Sequence, residues 1–296
     1  MYLRPFDPWK SELCTCPPKY SLNPYTGCAH RCLYCYASSY IKDFFHLREK
    51  RALIKTLKRE IKKIPEGSLI SLSNTSDPYP PIEKDKEITR KCLEIFKEHN
   101  MRVLIITKSN IVLRDIDLLK EIPSSVTFTV TTFKYESSLE PNAPSSFERL
   151  KAAERVSKEG IPVGIRLDPI IPYINEDEIE KILKEAKNCG VRHITASTFK
   201  PRWDSWIKIS KAFPEEAKKI KELYFRDGKK YSNSWYLPES LRKQLMLKVR
   251  KICDSLSLTF SSCREGFPEL TNALSCDGSH LAQKKSFSQE QVATLF

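Results

Sequence analysis

The chain has 296 residues, 40% of them hydrophobic, and carries 50 Lys and Arg against 37 Asp and Glu, a formal charge of +13. That content can bury one large core, or one core with a small appendage, and excludes a disordered tail. With no run of about eighteen apolar residues and no apolar leader ending in a cleavage site, the expectation is a soluble, unexported protein without a membrane partner. Ten cysteines in such a chain suit a reducing, low-oxygen cytoplasm better than a disulfide framework.

In chain order, short β-branched runs alternate with amphipathic helical patterns. A first strand near Tyr20 to Leu22 feeds a cysteine loop, and the apolar spacing of Ile41, Phe44, Phe45, Leu53, Ile54, Leu57 and Ile61 predicts helix after it, stopped by Pro65-Glu66-Gly67. Strands are then expected at Ser68 to Ser73, Arg102 to Thr107, Val126 to Thr132, Ile161 to Leu167 and Arg192 to Ser197. Helices are expected at Glu83 to Glu98, Val112 to Glu121, Pro144 to Lys158 and Glu176 to Cys189. Gly160 and Gly190 stand where a left-handed helix terminator is wanted. The alternation predicts an α/β protein built on a parallel sheet. Beyond Lys200 the rhythm changes to helical segments at Ser205 to Phe225 and Pro238 to Leu256 and a cysteine-containing tail. The expected organisation is an N-terminal segment 1–19, a core 20–200 and a C-terminal cap 201–296.

The most informative motif is Asn23-Pro24-Tyr25-Thr26-Gly27-Cys28-Ala29-His30-Arg31-Cys32-Leu33-Tyr34-Cys35. Zinc prefers four ligands in paired knuckles. A four-iron cluster is normally held by four cysteines, so three at this spacing leave one iron open to another ligand. The Cys-x3-Cys-x-aromatic-Cys pattern resembles the cluster loop of radical S-adenosylmethionine (SAM) enzymes. The resemblance implies a 4Fe-4S cluster on Cys28, Cys32 and Cys35 whose open iron is capped by SAM. It also implies an open, partial (β/α)6 barrel, reductive cleavage of SAM to a 5′-deoxyadenosyl radical, and a reductant such as flavodoxin or ferredoxin.

Further stretches are similar to the spore photoproduct lyase-like branch: Ser73-Asn74-Thr75-Ser76-Asp77-Pro78-Tyr79, Ile106-Thr107-Lys108-Ser109, Leu139-Glu140-Pro141-Asn142-Ala143-Pro144-Ser145 and Gly160-Ile161-Pro162-Val163-Gly164. The branch implies that Tyr34 flanks the adenine, that Asn74, Ser76 and Asp77 stand in the loop nearest SAM, and that Lys108 and Thr129 contact its methionyl end. Arg166 and Asp168 depart from the branch pattern. They alternate onto the face of Gly164, and either line a ligand site or form a structural ion pair. Asn74 occupies the place where the lyase carries a hydrogen-returning cysteine, which sets this chain apart from that repair chemistry.

Of the other cysteines, Cys92, Cys189 and Cys253 sit among apolar helical neighbours and are expected to be packed thiols. Cys14, Cys16, Cys263 and Cys276 lie in turn-rich terminal segments. They are candidate ligands for an auxiliary iron–sulfur cluster or a zinc ion, with His280 as an alternative ligand; unrelated thiols or a disulfide are the competing assignment. For substrate, the positive balance and the runs Lys200-Pro201-Arg202-Trp203 and Lys229-Lys230-Tyr231 support DNA or RNA as one class, against a charge that is merely a solvated surface. Alternatives are a peptide or small metabolite, or a metal-binding nucleic-acid module without enzymatic activity.

Overall fold

The computed structural model describes residues 1–6, 13–72 and 74–283. The eight strands of the main sheet are β1 (Arg4–Pro5), β2 (Tyr20–Leu22), β3 (Leu69–Leu72), β4 (Arg102–Thr107), β5 (Ser124–Thr129), β6 (Val163–Ile170), β7 (His193–Thr198) and β8 (Thr259–Ser262), adjacent in that order. From β2 to β8 every pairing is parallel, and β1 adds an antiparallel edge against β2. The fold is a partial barrel of the expected kind, mixed α/β with a parallel sheet. Within the described residues no helix is long and apolar enough to cross a membrane.

The principal helices are α1 (Leu53–Glu60), α2 (Ile88–Glu98), α3 (Ile116–Glu121), α4 (Ser146–Lys158), α5 (Ile179–Asn188), α6 (Trp203–Ala212), α7 (Pro214–Phe225) and α8 (Glu239–Ser255). One apolar cluster runs from Leu3 through the strands to Leu270 and takes in Leu57, Phe96, Val126, Ile165, Ile194, Met246 and Phe260. Because βα crossovers cover a parallel sheet, its strands are buried almost throughout, and all six residues of β5 and of β7 are buried.

Several elements differ from the expectation for local reasons. The helix expected after the cysteine loop begins only at Leu53. Residues 41–46 form turns, and Arg48–Glu49 pair antiparallel with Tyr25–Thr26. The Phe44 carbonyl accepts the Cys28 N–H at 2.8 Å, so this segment wraps the cysteine loop instead of coiling. The helix expected over Glu83 to Glu98 is broken at Glu87, whose φ is +52°. The buried Glu83 carboxylate accepts the Thr89 N–H at 3.0 Å and so satisfies the start of α2. Val112 to Glu121 is half 3₁₀, from Asn110 to Asp115, before α3. Strand β5 ends at Thr129, short of the expected Thr132, and β6 runs on to Ile170. The expected strand end Ser73 lies outside the described residues. The C-terminal segment contributes β8 as well as its helices, and β8 extends the parallel sheet beside β7.

Candidate active site

The strands deliver their carboxyl ends to one cavity of about 520 Å³, where ligands of parallel α/β sheets collect. Cys28, Cys32 and Cys35 line it together with Tyr34, Asn74, Ser76, Asp77, Lys108, Thr129, Arg166 and Asp168. Every residue singled out in the sequence for the cluster and for SAM is thus in one place. A larger groove of about 890 Å³, between Tyr173 and the Leu241 to Lys251 face of α8, carries no cysteine and no strand end.

The cysteine loop is held from beneath. Gly27, at φ +83°, brings its backbone so near the Phe44 and His46 carbonyls that a Cβ would lie 2.6 Å from both. The Leu33 N–H donates to the Leu139 carbonyl at 2.9 Å, and Asn142 Nδ2 donates to the Ala29 carbonyl at 3.0 Å. All three loop cysteines are free thiols. Burial pushes Cys28 and Cys32 up to about 12, and Cys35 upward as well. Among the described residues no three Cys, His, Asp or Glu side chains converge on a single ion position. Three thiols on one loop are the donor set of a cluster that leaves one iron without a protein ligand.

Asp77 ties the loop after β3 to its neighbours. It accepts hydrogen bonds from the Lys108 N–H and the Thr107 hydroxyl, each at 2.7 Å, and from the Tyr79 N–H at 2.9 Å; His30 Nε2 lies 3.2 Å away. Burial alone would raise its carboxyl, but His30 and these donors hold it below the usual carboxylate range. Ser76 donates to the Tyr25 carbonyl at 3.0 Å. Asn74 donates to the Ser21 hydroxyl at 2.6 Å, while its carbonyl accepts the Tyr36 hydroxyl at 2.6 Å. The polar atoms of Ser76 and Asp77 are therefore engaged in shaping the loop.

Lys108 is the buried cation at the centre of the wall. Its Nζ stands 3.9 Å from Glu140 and 5.5 Å from the Tyr34 ring centroid. Burial would lower its pKa, yet Cys32 and Glu140 push it up, so it stays charged. Glu140 also pairs with the fully buried Arg149 at 2.5 Å, accepts the Thr131 hydroxyl at 2.9 Å, and is hydrogen-bonded by the Tyr34 hydroxyl. Burial would raise Glu140, but Arg149 and Lys108 hold it below its ordinary range. Thr129 ends β5 at the cavity wall, and its carbonyl accepts Arg149 Nη1 at 3.0 Å.

Arg166 and Asp168 do share the Gly164 face, and that face lines the cavity. Arg166 Nη2 lies 2.9 Å from Asp168 and 3.2 Å from Cys263 Sγ, so the pair and the cavity wall are one feature. The terminal cysteines come together as well. Cys16 and Cys276 are 3.4 Å apart, Cys14 is hydrogen-bonded to Cys16, and Cys14, Cys16 and Cys263 line the same cavity. His280 is turned elsewhere, with Nδ1 on the Ser275 hydroxyl at 2.8 Å and its ring against His193. Cys92 and Cys253 are buried and Cys189 is half-buried.

Around the mouth stand Tyr36, Tyr40, Arg202 and Arg264. Tyr36 and Tyr40 stack at 6.2 Å, and the Arg202 guanidinium lies 5.2 Å from the Tyr40 ring. Trp203 is 68% exposed beside them in sequence. Lys200, expected at a nucleic-acid surface, turns inward to Glu265 at 2.6 Å. Lys229, Lys230 and Tyr231 form one strand of a separate hairpin with Ser234–Tyr236. Sequence reasoning missed His30, Tyr36, Glu140, Arg149 and Arg264. His30 was legible inside the cysteine loop, and Glu140 inside the Leu139 to Ser145 stretch; Arg149 carries no local signal because it is an ordinary helix position until Glu140 is placed beside it.

The parallel partial barrel carries the three-cysteine loop at the carboxyl ends of its strands. The Radical SAM superfamily model matches residues 22–186, and the chain belongs to that superfamily. Uncharacterized protein ORF301 of Acidianus two-tailed virus is 30% identical over 236 residues, 72% of this chain and 78% of that protein. Spore photoproduct lyase of Clostridium acetobutylicum is 26% identical over 235 residues, 73% of this chain and 69% of the lyase. The solved structure of a spore photoproduct lyase with bound AdoMet (SAM) and dinucleoside spore photoproduct shares the fold at TM-score 0.64 and 19% identity, covering 82% of this chain and 75% of that one. The chain is thus similar to spore photoproduct lyase, and the superfamily implies SAM and a 4Fe-4S cluster.

Proposed function

We propose that this protein cleaves SAM reductively and uses the radical on a nucleic acid, DNA or RNA. The observation that carries the reading is one cavity joining the three cluster cysteines, a buried cation at Lys108 and a mouth of Tyr36, Tyr40, Arg202 and Arg264. A 4Fe-4S cluster held by Cys28, Cys32 and Cys35 would supply, when reduced, the one electron needed for reductive cleavage of SAM and so for hydrogen abstraction from the substrate.

The chain's own residues have separable tasks. Cys28, Cys32 and Cys35 would hold the cluster through three of its irons, leaving one without a protein ligand and available to SAM. Lys108 faces the SAM carboxylate, since a buried ammonium gives a strong charge-assisted bond, and Glu140 with Arg149 keeps it in place. Tyr34 and Thr129 complete the SAM bed, while Asn74, Ser76 and Asp77 shape the loop beside it. Arg166, with Asp168, presents a positive charge to phosphate or to SAM. The aromatic pair at the mouth stacks bases, which is sequence-tolerant and suits a strand entering from solvent. The lyase relative's name and the dinucleoside bound in its structural counterpart support this substrate class. A flavodoxin- or ferredoxin-like reductant and a reducing, cytoplasmic compartment belong to the same proposal.

The test is anaerobic turnover with dithionite, SAM and a deuterated oligonucleotide. Formation of 5′-deoxyadenosine carrying deuterium from the oligonucleotide is expected, with none from the Cys28→Ala/Cys32→Ala/Cys35→Ala variant. Deuterium arriving from a labelled peptide instead, with no oligonucleotide affinity, would move the substrate to the peptide class.

A further inference from the structure

We propose that Cys14, Cys16, Cys263 and Cys276 together hold a second iron–sulfur cluster in the wall of the substrate cavity. The four come from opposite ends of the chain. Cys14 and Cys16 precede β2, Cys263 follows β8, and Cys276 lies in the turn before Asp277, yet Cys16 and Cys276 are 3.4 Å apart and Cys14 is hydrogen-bonded to Cys16. Cys263 is fixed by its own N–H, which donates to the Ala196 carbonyl at 2.8 Å as β7 ends.

Packing does not account for this grouping. Cysteines kept as small apolar residues sit among apolar neighbours, as the buried Cys92 and Cys253 do in the apolar core. Here Cys14, Cys16 and Cys263 line a cavity that Lys19, Arg166 and Arg264 also line. Three cations surround them: Arg166 at 3.2 Å from Cys263 Sγ, Arg264 near Cys14, and Lys19 beside Cys16 and Cys276, paired with Asp277. Four thiolates with a metal centre carry net negative charge, and this ring of cations suits that charge. All four are free thiols, so no disulfide consumes them.

The donor set suits an all-cysteine cluster. Four cysteines complete an iron–sulfur cluster without an open iron. The 3.4 Å between Cys16 and Cys276 is close to the spacing of two thiolates on one metal ion, as on one iron of a two-iron cluster, and zinc is the rival that the metal assay separates. Its ligands join the N-terminal segment to the tail after β8.

The inference shares the cavity of the proposed radical site but does not depend on its chemistry, so the measurement removes that site. The full chain with Cys28→Ala, Cys32→Ala and Cys35→Ala is reconstituted anaerobically with iron and sulfide, then assayed for iron, acid-labile sulfide and zinc. Equal iron and sulfide, about two to four of each per chain, is expected for one all-cysteine cluster. One zinc per chain, or no metal, overturns the proposal. Should that variant fail to fold, Cys14→Ser/Cys16→Ser/Cys263→Ser/Cys276→Ser in the otherwise native chain decides the matter. Iron falling to the content of the Cys28, Cys32 and Cys35 site supports the second cluster, and iron unchanged from wild type overturns it.

Discussion

At the residue scale, the buried charges around Lys108 carry the most consequence. Burial works against the Lys108 ammonium and Arg149 repels it, while Cys32 and Glu140 hold it protonated. Lys108→Met removes the cation proposed to meet the SAM carboxylate. Hydrogen bonds to charged groups are worth about 1.5–3 kcal/mol, so SAM binding by equilibrium dialysis should weaken roughly ten- to hundredfold, with thermal stability largely kept. Glu140→Gln has a different signature. It leaves the fully buried Arg149 without its counter-charge, which costs about 3–5 kcal/mol for a broken buried pair, read as a lower midpoint in urea.

The pH dependence of Glu140 follows from its depressed pKa. The unfolded chain binds this proton more readily than the folded one. The stabilisation is therefore complete above the ordinary carboxylate range and is lost as pH falls through the lower folded value. Wild type should lose stability in acid, and Glu140→Gln should show a flatter profile over the same window.

At the scale of elements, the cysteine loop depends on a close backbone approach that its neighbours only partly announce. Gly27→Ala would place a Cβ 2.6 Å from two carbonyl oxygens at a positive φ. Such strain costs about 1–3 kcal/mol, and the loop should shift enough to lower iron retention after reconstitution, with far-ultraviolet circular dichroism unchanged. The same region shows where periodicity misleads. Ile41, Phe44 and Phe45 have helical spacing, but the Phe44 carbonyl is taken by the Cys28 N–H and lies, with that of His46, against Gly27. Likewise Glu83 reads as part of one long helix, although its carboxylate accepts the Tyr25 hydroxyl at 2.5 Å and the Thr89 N–H at 3.0 Å, separating two helices. Strand β8 went unseen because Thr259 to Ser262 is short and polar, and its Ser261 and Ser262 are buried only by tertiary contacts.

At the scale of the whole molecule, the net charge of +13 and the aromatic mouth belong together. Affinity for single-stranded oligonucleotides should fall steeply with salt, because phosphate contacts release counterions. Tyr40→Ala, assayed by fluorescence anisotropy at fixed salt, should weaken binding by about 1–3 kcal/mol if one base stacks there. It should leave the salt slope unchanged. Binding insensitive to salt would count against a nucleic-acid substrate.

What the sequence determined by itself was local or nearly so. The three-cysteine loop, the alternation of strand and helix, and the face of Arg166 are legible because spacing and periodicity act over a few residues, while Lys108 and Thr129 were implied by the family resemblance. The pairing of Arg166 with Asp168 is legible for the same reason, since two-residue alternation places both on one face. Tertiary structure alone decided the rest. Arg149 becomes part of the site only when β5 and α4 bring it under Glu140, and Lys200 leaves the surface only when Glu265 arrives after β8. Above all, Cys14, Cys16, Cys263 and Cys276 could be grouped by their loop-like surroundings but not by distance. Their meeting depends on how the two ends of the chain pack against the finished sheet, and no local pattern encodes a contact between residues 260 positions apart.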